Sequence, residues 1–246
     1  MPYRWSLVLQ ADRPEAERPV SPRQLHGLAA SLLERAGADH HAQTKPYTVA
    51  PIMAAPPHSQ GPRDGTALLQ LGWLPDTPRP DLTPLAGTRI RLGAQFFTVD
   101  SAWEEAMPYA ALVHIPPAEQ AVMHFRSVTY FSRSGRSHPL PDPVLLYAGL
   151  IRRWNHYAPE HARITEVEEK ELLGVVVLSA HDISSSPVDL GAGIRIGFTG
   201  TATFRLHGQQ TPTTQQQFTA LSLFAAIAGA GAQTTHGLGA IDLTLE

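Results

Sequence analysis

The chain contains no cysteine, and of its 19 basic side chains only Lys45 and Lys170 are lysine. Without thiols, disulfide scaffolds, thiolate metal sites and a cysteine nucleophile are excluded. No apolar run approaches the roughly 20 residues that a membrane span needs. The opening MPYRWSLVLQ sets arginine and tryptophan in a short alternating run where a secretory leader would carry an apolar block. A cytoplasmic protein with no membrane partner is the expectation. A formal net charge of −3 gives no general attraction to nucleic acid. What positive charge there is resides in arginine, which forks onto phosphate and stacks on bases, so a local basic face stays open. The phosphate loop GxxxxGK[ST] is missing, and the glycine-rich stretch near the C-terminus follows an apolar helix where a dinucleotide fingerprint needs a strand. The spacings of His26, His40, His41 and His58 match no zinc-ligand pattern. No metal and no cofactor is expected.

What is present is a repeated order of elements. At 246 residues the chain is long enough for two domains. Tyr3, Trp5, Leu7 and Leu9 alternate with polar residues as a half-buried strand. Ser21 and Gln24 form a capping box, with Pro22 at the first helical position, ahead of an apolar stripe from Leu25 to Ala36. PYTVAPIM and ALLQLGWL read as strands, DLTPLAG as a short helix and TRIRLGAQFFTV as one further strand. The pattern then recurs. AVMHFRSVTYF is a strand, and PDPVLLYAGLIRRWNHY a helix capped by Asp142. GVVVLSAHDI and GIRIGFTGTATFRL are strands, and Thr214 with Gln217 boxes a last helix before the strand AIDLTL. The acidic EVEEKE, Glu166 to Glu171, reads as a solvated turn or a protein-facing surface. The expected fold is α+β, two tandem ferredoxin-like (RRM-like) domains with antiparallel sheets backed by helices, divided at IPPAEQ into 1–117 and 118–246.

Several stretches together resemble one family. HHAQTKPYTVAPI, FRSVTYFSRSGRSHPLPDPVLLYAGLIRRWN, GFTGTATFRL and FAAIAGAGAQTTHGLGAIDL are similar, in order and spacing, to the CRISPR-associated endoribonucleases of the Cas six family in the RAMP superfamily. The resemblance implies RNA gripped between the domains and metal-independent cleavage of precursor CRISPR RNA within its repeats. In that chemistry the ribose 2′-hydroxyl attacks the adjoining phosphate, leaving a 2′,3′-cyclic phosphate and a 5′-hydroxyl. The implied partner is the repeat RNA, with CRISPR effector subunits and a second copy of the chain as further candidates. The alternative within the same resemblance is a noncatalytic scaffold that binds guide RNA.

The family's catalytic histidine falls in the segment after the first helix, which points to His40 first and His41 second, with Lys45 to neutralise developing phosphate charge. His26, beside Leu25, is a weaker catalytic candidate that also reads as a boundary histidine. For RNA contact the candidates are Arg133 and Arg136, in a Ser/Gly loop, and the stretch AGAGAQTTHGLGA through Gly229, Gly231, Thr234, Thr235, His236, Gly237 and Gly239. Bare glycines admit a phosphate, or another part of the protein, to touching distance, and successive amides make an anion-binding concavity. One pair of glycines suffices to stop a helix; Gly237 and Gly239, just before a strand, need the close approach of RNA or of the N-terminal domain. Arg152 and Arg153 read as the solvated face of a helix, and Tyr3, Trp5, Trp73 and Trp154 as core in preference to base-stacking platforms.

Overall fold

A computed structural model describes residues 1–12, 20–34, 44–54 and 66–246. The alternating opening run is β1 (Tyr3–Ala11), with Trp5, Leu7 and Leu9 fully buried. It pairs antiparallel with β4 (Thr66–Trp73) on one side and β6 (Gln95–Ala106) on the other. β2 (Tyr47–Val49) and β3 (Met53–Ala54) lie against β4, and β5 (Arg89–Leu92) lies on the outer side of β6. The order β2-β4-β1-β6 is the ferredoxin-like one, with β5 added at the edge. Across its back lies α1 (Pro22–Leu33), which starts at the Ser21–Gln24 capping box and buries Leu25, Leu28, Ala29 and Leu33 against the sheet. Trp5, Trp73 and Trp154 are core, as the alternation predicts.

Two expectations for this half are corrected. The stretch TRIRLGAQFFTV is two strands, because Gly93 takes a left-handed φ of 63° and folds β5 back on β6. The short helix expected in DLTPLAG is a single 3-10 turn, Thr83–Leu85.

In the second half β7 (Gln120–Thr129) is central, between β12 (Ile241–Leu245) and β11 (Ile194–Leu206), with β10 (Val176–Asp189) outside β11. The order β10-β11-β7-β12 repeats the first sheet's. The single-turn helix α2 (Tyr109–Leu112), the long helix α3 (Pro143–Tyr157, N-capped by Asp142), α4 (Glu166–Val175) and α5 (Pro212–Ala228) fill the back of this sheet. They close a core of Phe125, Tyr147, Trp154, Phe198, Phe204, Phe218 and Phe224. A small hairpin, β8 (Phe131–Arg133) and β9 (Arg136–His138), stands beside the main sheet.

Here too the local reading needs correcting. The acidic stretch is helical: Thr165 caps the amide of Glu168 while the Glu168 carboxylate returns to Thr165, and three glutamates in the first turn suit the helix dipole. The cap of α5 is Thr211, three residues earlier than expected; Thr214 is buried inside the helix and donates its amide to Thr211 at 3.1 Å.

The halves are tied by specific polar contacts. The Thr48 hydroxyl donates to the carbonyl of Ile227 at 2.6 Å. Arg126 of β7 reaches Gln70 of β4 at 2.9 Å and the Met53 sulfur of β3 at 2.8 Å, while its Nε pairs with Asp242 of β12. Arg23 of α1 reaches the carbonyl of Leu190, in the turn between β10 and β11.

Candidate active site

The glycine-rich stretch lies at the seam between the halves. α5 runs out at Ala228, and the next residues fold into a compact loop closed by the Ala230 amide on the Gly239 carbonyl at 2.9 Å. The loop is anchored to its own domain by Ala232 on the Tyr130 carbonyl, Gly239 on that of Val128, and the Ala240 amide on the Ser127 hydroxyl. Its middle is a 3-10 turn, Thr234–His236, entered through a left-handed Gln233. The close approaches that the sequence demands are found here inside the protein. At Gly239 a Cβ would overlap the Ala230 carbonyl oxygen; at Gly237 it would stand 2.5 Å from Cδ1 of Leu25, on α1 of the other domain.

Arg153 helps hold this loop, and its reading as a solvated side chain is corrected. It turns inward across the end of α5, donating to the carbonyls of Ala228 and Gly229 and to the Thr234 hydroxyl. These are carbonyls a helix end leaves without partners. Burial, and then the neighbouring Arg152, pull the Arg153 pKa down to about 10.

Onto the loop's outer side packs the first domain. His26, one residue past Leu25 on α1, lies flat on His236, with ring centroids 4.1 Å apart and planes 3° from parallel. Its Nδ1 is 3.1 Å from the Thr235 carbonyl oxygen, and His236 Nδ1 is 3.0 Å from the Thr235 hydroxyl. The His26 ring also lies 6.3 Å from the ring of Tyr47 on β2, with planes 27° apart. Burial first, then His26 and Arg23, push the pKa of His236 down to about 4. The Tyr47 hydroxyl donates to Glu34 at 2.9 Å, and burial together with that carboxylate raises its pKa. Lys45 pairs with the same Glu34 oxygen at 2.8 Å, in a nearly buried contact.

His40, His41 and His58 lie outside the described residues. Glu34, the last described residue before the first two, is bonded to Lys45, near the start of the next described stretch, and the α1 and β2 elements beside them both abut the 3-10 turn. Of the RNA-contact candidates, Gly229, Gly231, Thr234, Thr235, His236, Gly237 and Gly239 form this one loop. Arg133 and Arg136 are exposed on the β8–β9 hairpin, directly opposite each other across its ladder, and among the described residues neither has an ion-pair partner. Like charges so placed repel unless an anion bridges them. The hairpin begins next to Tyr130, whose carbonyl accepts from the loop. The contact between His26 and His236, 210 positions apart, has no local signal in the sequence. No helix among the described residues is long and apolar enough to cross a membrane.

The fold is thus two tandem ferredoxin-like domains with a glycine-rich loop at their seam. Residues 123–241 match the family model of the CRISPR-associated endoribonuclease Cas6. A Cas6 endoribonuclease of Mycobacterium tuberculosis is 30% identical over 164 residues, 63% of this chain and 50% of that protein. The chain thus spans half the length of the curated relatives it matches. The Cas6 (TTHA0078) product complex superposes with a TM-score of 0.81 at 25% identity, covering 99% of this chain and 100% of that one. The product complex of Cas6 (TTHB231), of Thermus thermophilus, gives 0.79 at 28% identity with the same coverage. The chain resembles the Cas6 family in fold from end to end, and in sequence most clearly across its second domain.

Proposed function

We propose that this chain is an endoribonuclease that cleaves precursor CRISPR RNA within its repeats. The observation that carries the reading is the meeting of imidazoles from both domains at the seam: His26 on His236, beside the Glu34–Lys45 pair that flanks the segment of His40 and His41. The ribose 2′-hydroxyl gives up its proton and attacks the adjoining phosphorus. The bond to the 5′-oxygen breaks, and that oxygen takes up a proton. A 2′,3′-cyclic phosphate and a 5′-hydroxyl result. His26, as the neutral imidazole, serves as base, and one of His40 and His41, as the imidazolium, serves as acid to the leaving 5′-oxygen. His236 makes a poor base, because its lone pair holds a proton only near pH 4. Lys45 neutralises charge on the phosphorane-like transition state. The Arg133–Arg136 hairpin, and the residues of the loop other than Thr235 and His236, hold the RNA backbone.

The test is incubation with the cognate repeat transcript in EDTA, with both product ends analysed. The reading expects a single cut, cyclic phosphate and 5′-hydroxyl ends, and no cut when the nucleotide upstream of the cut is 2′-deoxy, because only RNA supplies the nucleophile. Abolition by EDTA together with cleavage of the deoxy substrate overturns the mechanism. Tight binding without any cleavage selects the guide-RNA scaffold.

A further inference from the structure

We propose that Thr235 and His236 are positioning residues for His26. The Thr235 carbonyl keeps the ring proton on Nδ1 and the His236 ring holds the imidazole plane, so that Nε2 presents a free lone pair to the ribose hydroxyl. The proposal rests on the reading above, in which His26 takes the proton.

The argument starts from what a carbonyl can do. A backbone oxygen only accepts hydrogen bonds, so the 3.1 Å contact between His26 Nδ1 and Thr235 O places a proton on Nδ1. In the neutral ring Nε2 is then unprotonated, which is the form a general base requires. The other half of the device is the stack. Two side chains from different domains lie 3° from parallel at 4.1 Å, and one residue, Thr235, touches both rings through its carbonyl and its hydroxyl. A shelf under His26 has to stay uncharged when His26 gains its proton, or the two cations would repel. The groups around the pair are arranged for that. Arg23 stands one turn earlier on α1, Tyr47 faces His26 from β2, the Glu34–Lys45 pair compensates itself behind Tyr47, and Arg153 of α3 reaches the adjacent Thr234. Burial and the nearby positive charge keep His236 neutral well below pH 6. The glycines acquire a second purpose in this arrangement. Gly237 lets the loop press onto Leu25, the residue next to His26, and Gly239 lets it close on Ala230, so the shelf is rigid against both domains.

Two measurements test it. The chemical shifts of the His26 ring nitrogens in the uncleaved wild-type protein, assigned by comparison with His26→Gln, report which nitrogen carries the proton. Nδ1 is expected, and a proton on Nε2 overturns the proposal. In single-turnover cleavage, His236→Ala is expected to lose about tenfold to a hundredfold in rate, the scale of a roughly 1 Å misplacement, while affinity for the 2′-deoxy repeat stays within about twofold. His236→Phe keeps the shelf and is expected to restore most of the rate; equal defects in the Ala and Phe variants, with both folded by thermal unfolding, count against a shelf. A loss confined to RNA affinity makes His236 an RNA contact and sinks the proposal. Wild-type cleavage by His26→Ala sinks the underlying reading instead, whatever His236 does; an inactive His26→Ala beside an unimpaired His236→Ala sinks the positioning role alone.

Discussion

The two halves share a strand order and divide the labour differently. Among the described residues the first sheet is backed by α1 alone, and in the proposed reading it supplies the titratable chemistry: His26 on that helix, His40 and His41 after it, and Lys45 at the entry to β2. The second sheet is backed by α3, α4 and the almost wholly buried α5, and it supplies shape: a loop whose conformation is set by glycines and by Arg153. The same ferredoxin-like frame thus serves once as a carrier of reactive side chains and once as the rigid surface they are held against. The lesson is that the site belongs to neither half. The stacked imidazoles need both.

The largest effect should come from the chemical side. A His40→Ala, His41→Ala double variant is expected to lose about 10² to 10⁴ in single-turnover rate, the range of one general acid–base function, with repeat-RNA binding retained. Loss of binding in step with cleavage would blur the division drawn here.

The shape side breaks through the backbone. Gly239→Ala pushes a methyl onto the Ala230 carbonyl at a left-handed φ of 70°, and is expected to cost about 2 kcal/mol or more in unfolding free energy. The same substitution at Gly174, exposed in α4 with open space around it, should stabilise by about 0.5 kcal/mol. Denaturant unfolding of the two variants checks the contrast, and shifts of the same sign would contradict it.

Charge at the hairpin is the next smaller effect. Removing Arg133 and Arg136 by alanine should weaken binding of unrelated repeat sequences alike and flatten the salt dependence, because phosphate contacts carry no sequence information. A sequence-selective loss would move these arginines from backbone to base recognition.

A further effect is on stability against pH. His236 has its pKa lowered from 6.5 to about 4 in the folded chain, so the unfolded chain binds the proton first as the solution is acidified. The stabilisation is therefore complete above about pH 6.5 and is lost as pH falls toward 4. His236→Phe should flatten the unfolding midpoint across that window, and an unchanged slope would show that His236 is not held neutral.

How much of this was legible in the sequence follows from the range of each signal. β1 and the caps at Ser21 and Asp142 could be read because alternation and capping are decided within a few residues. So, in principle, could α4: Thr165 and Glu168 form a capping box that the acidic run obscured. TPTTQQQ contains competing cap choices, and Thr211 wins because Pro212 then takes the first helical position. The turn at Gly93 was hidden inside a strand-like run, RIRL before it and QFFTV after it. The glycine-rich loop advertised the need for close approach but not its object, Leu25 on one side and Ala230 on the other. The inward turn of Arg153 and the pairing of His26 with His236 are decided by tertiary packing, which no local pattern records.

The most direct test of a site assembled across the seam is a double-mutant cycle in single-turnover cleavage with His26→Ala, His236→Ala and the pair. If the shelf acts only through the base it carries, adding His236→Ala to His26→Ala costs nothing further. Full multiplication of the two losses would show that the imidazoles work independently and contradict the account.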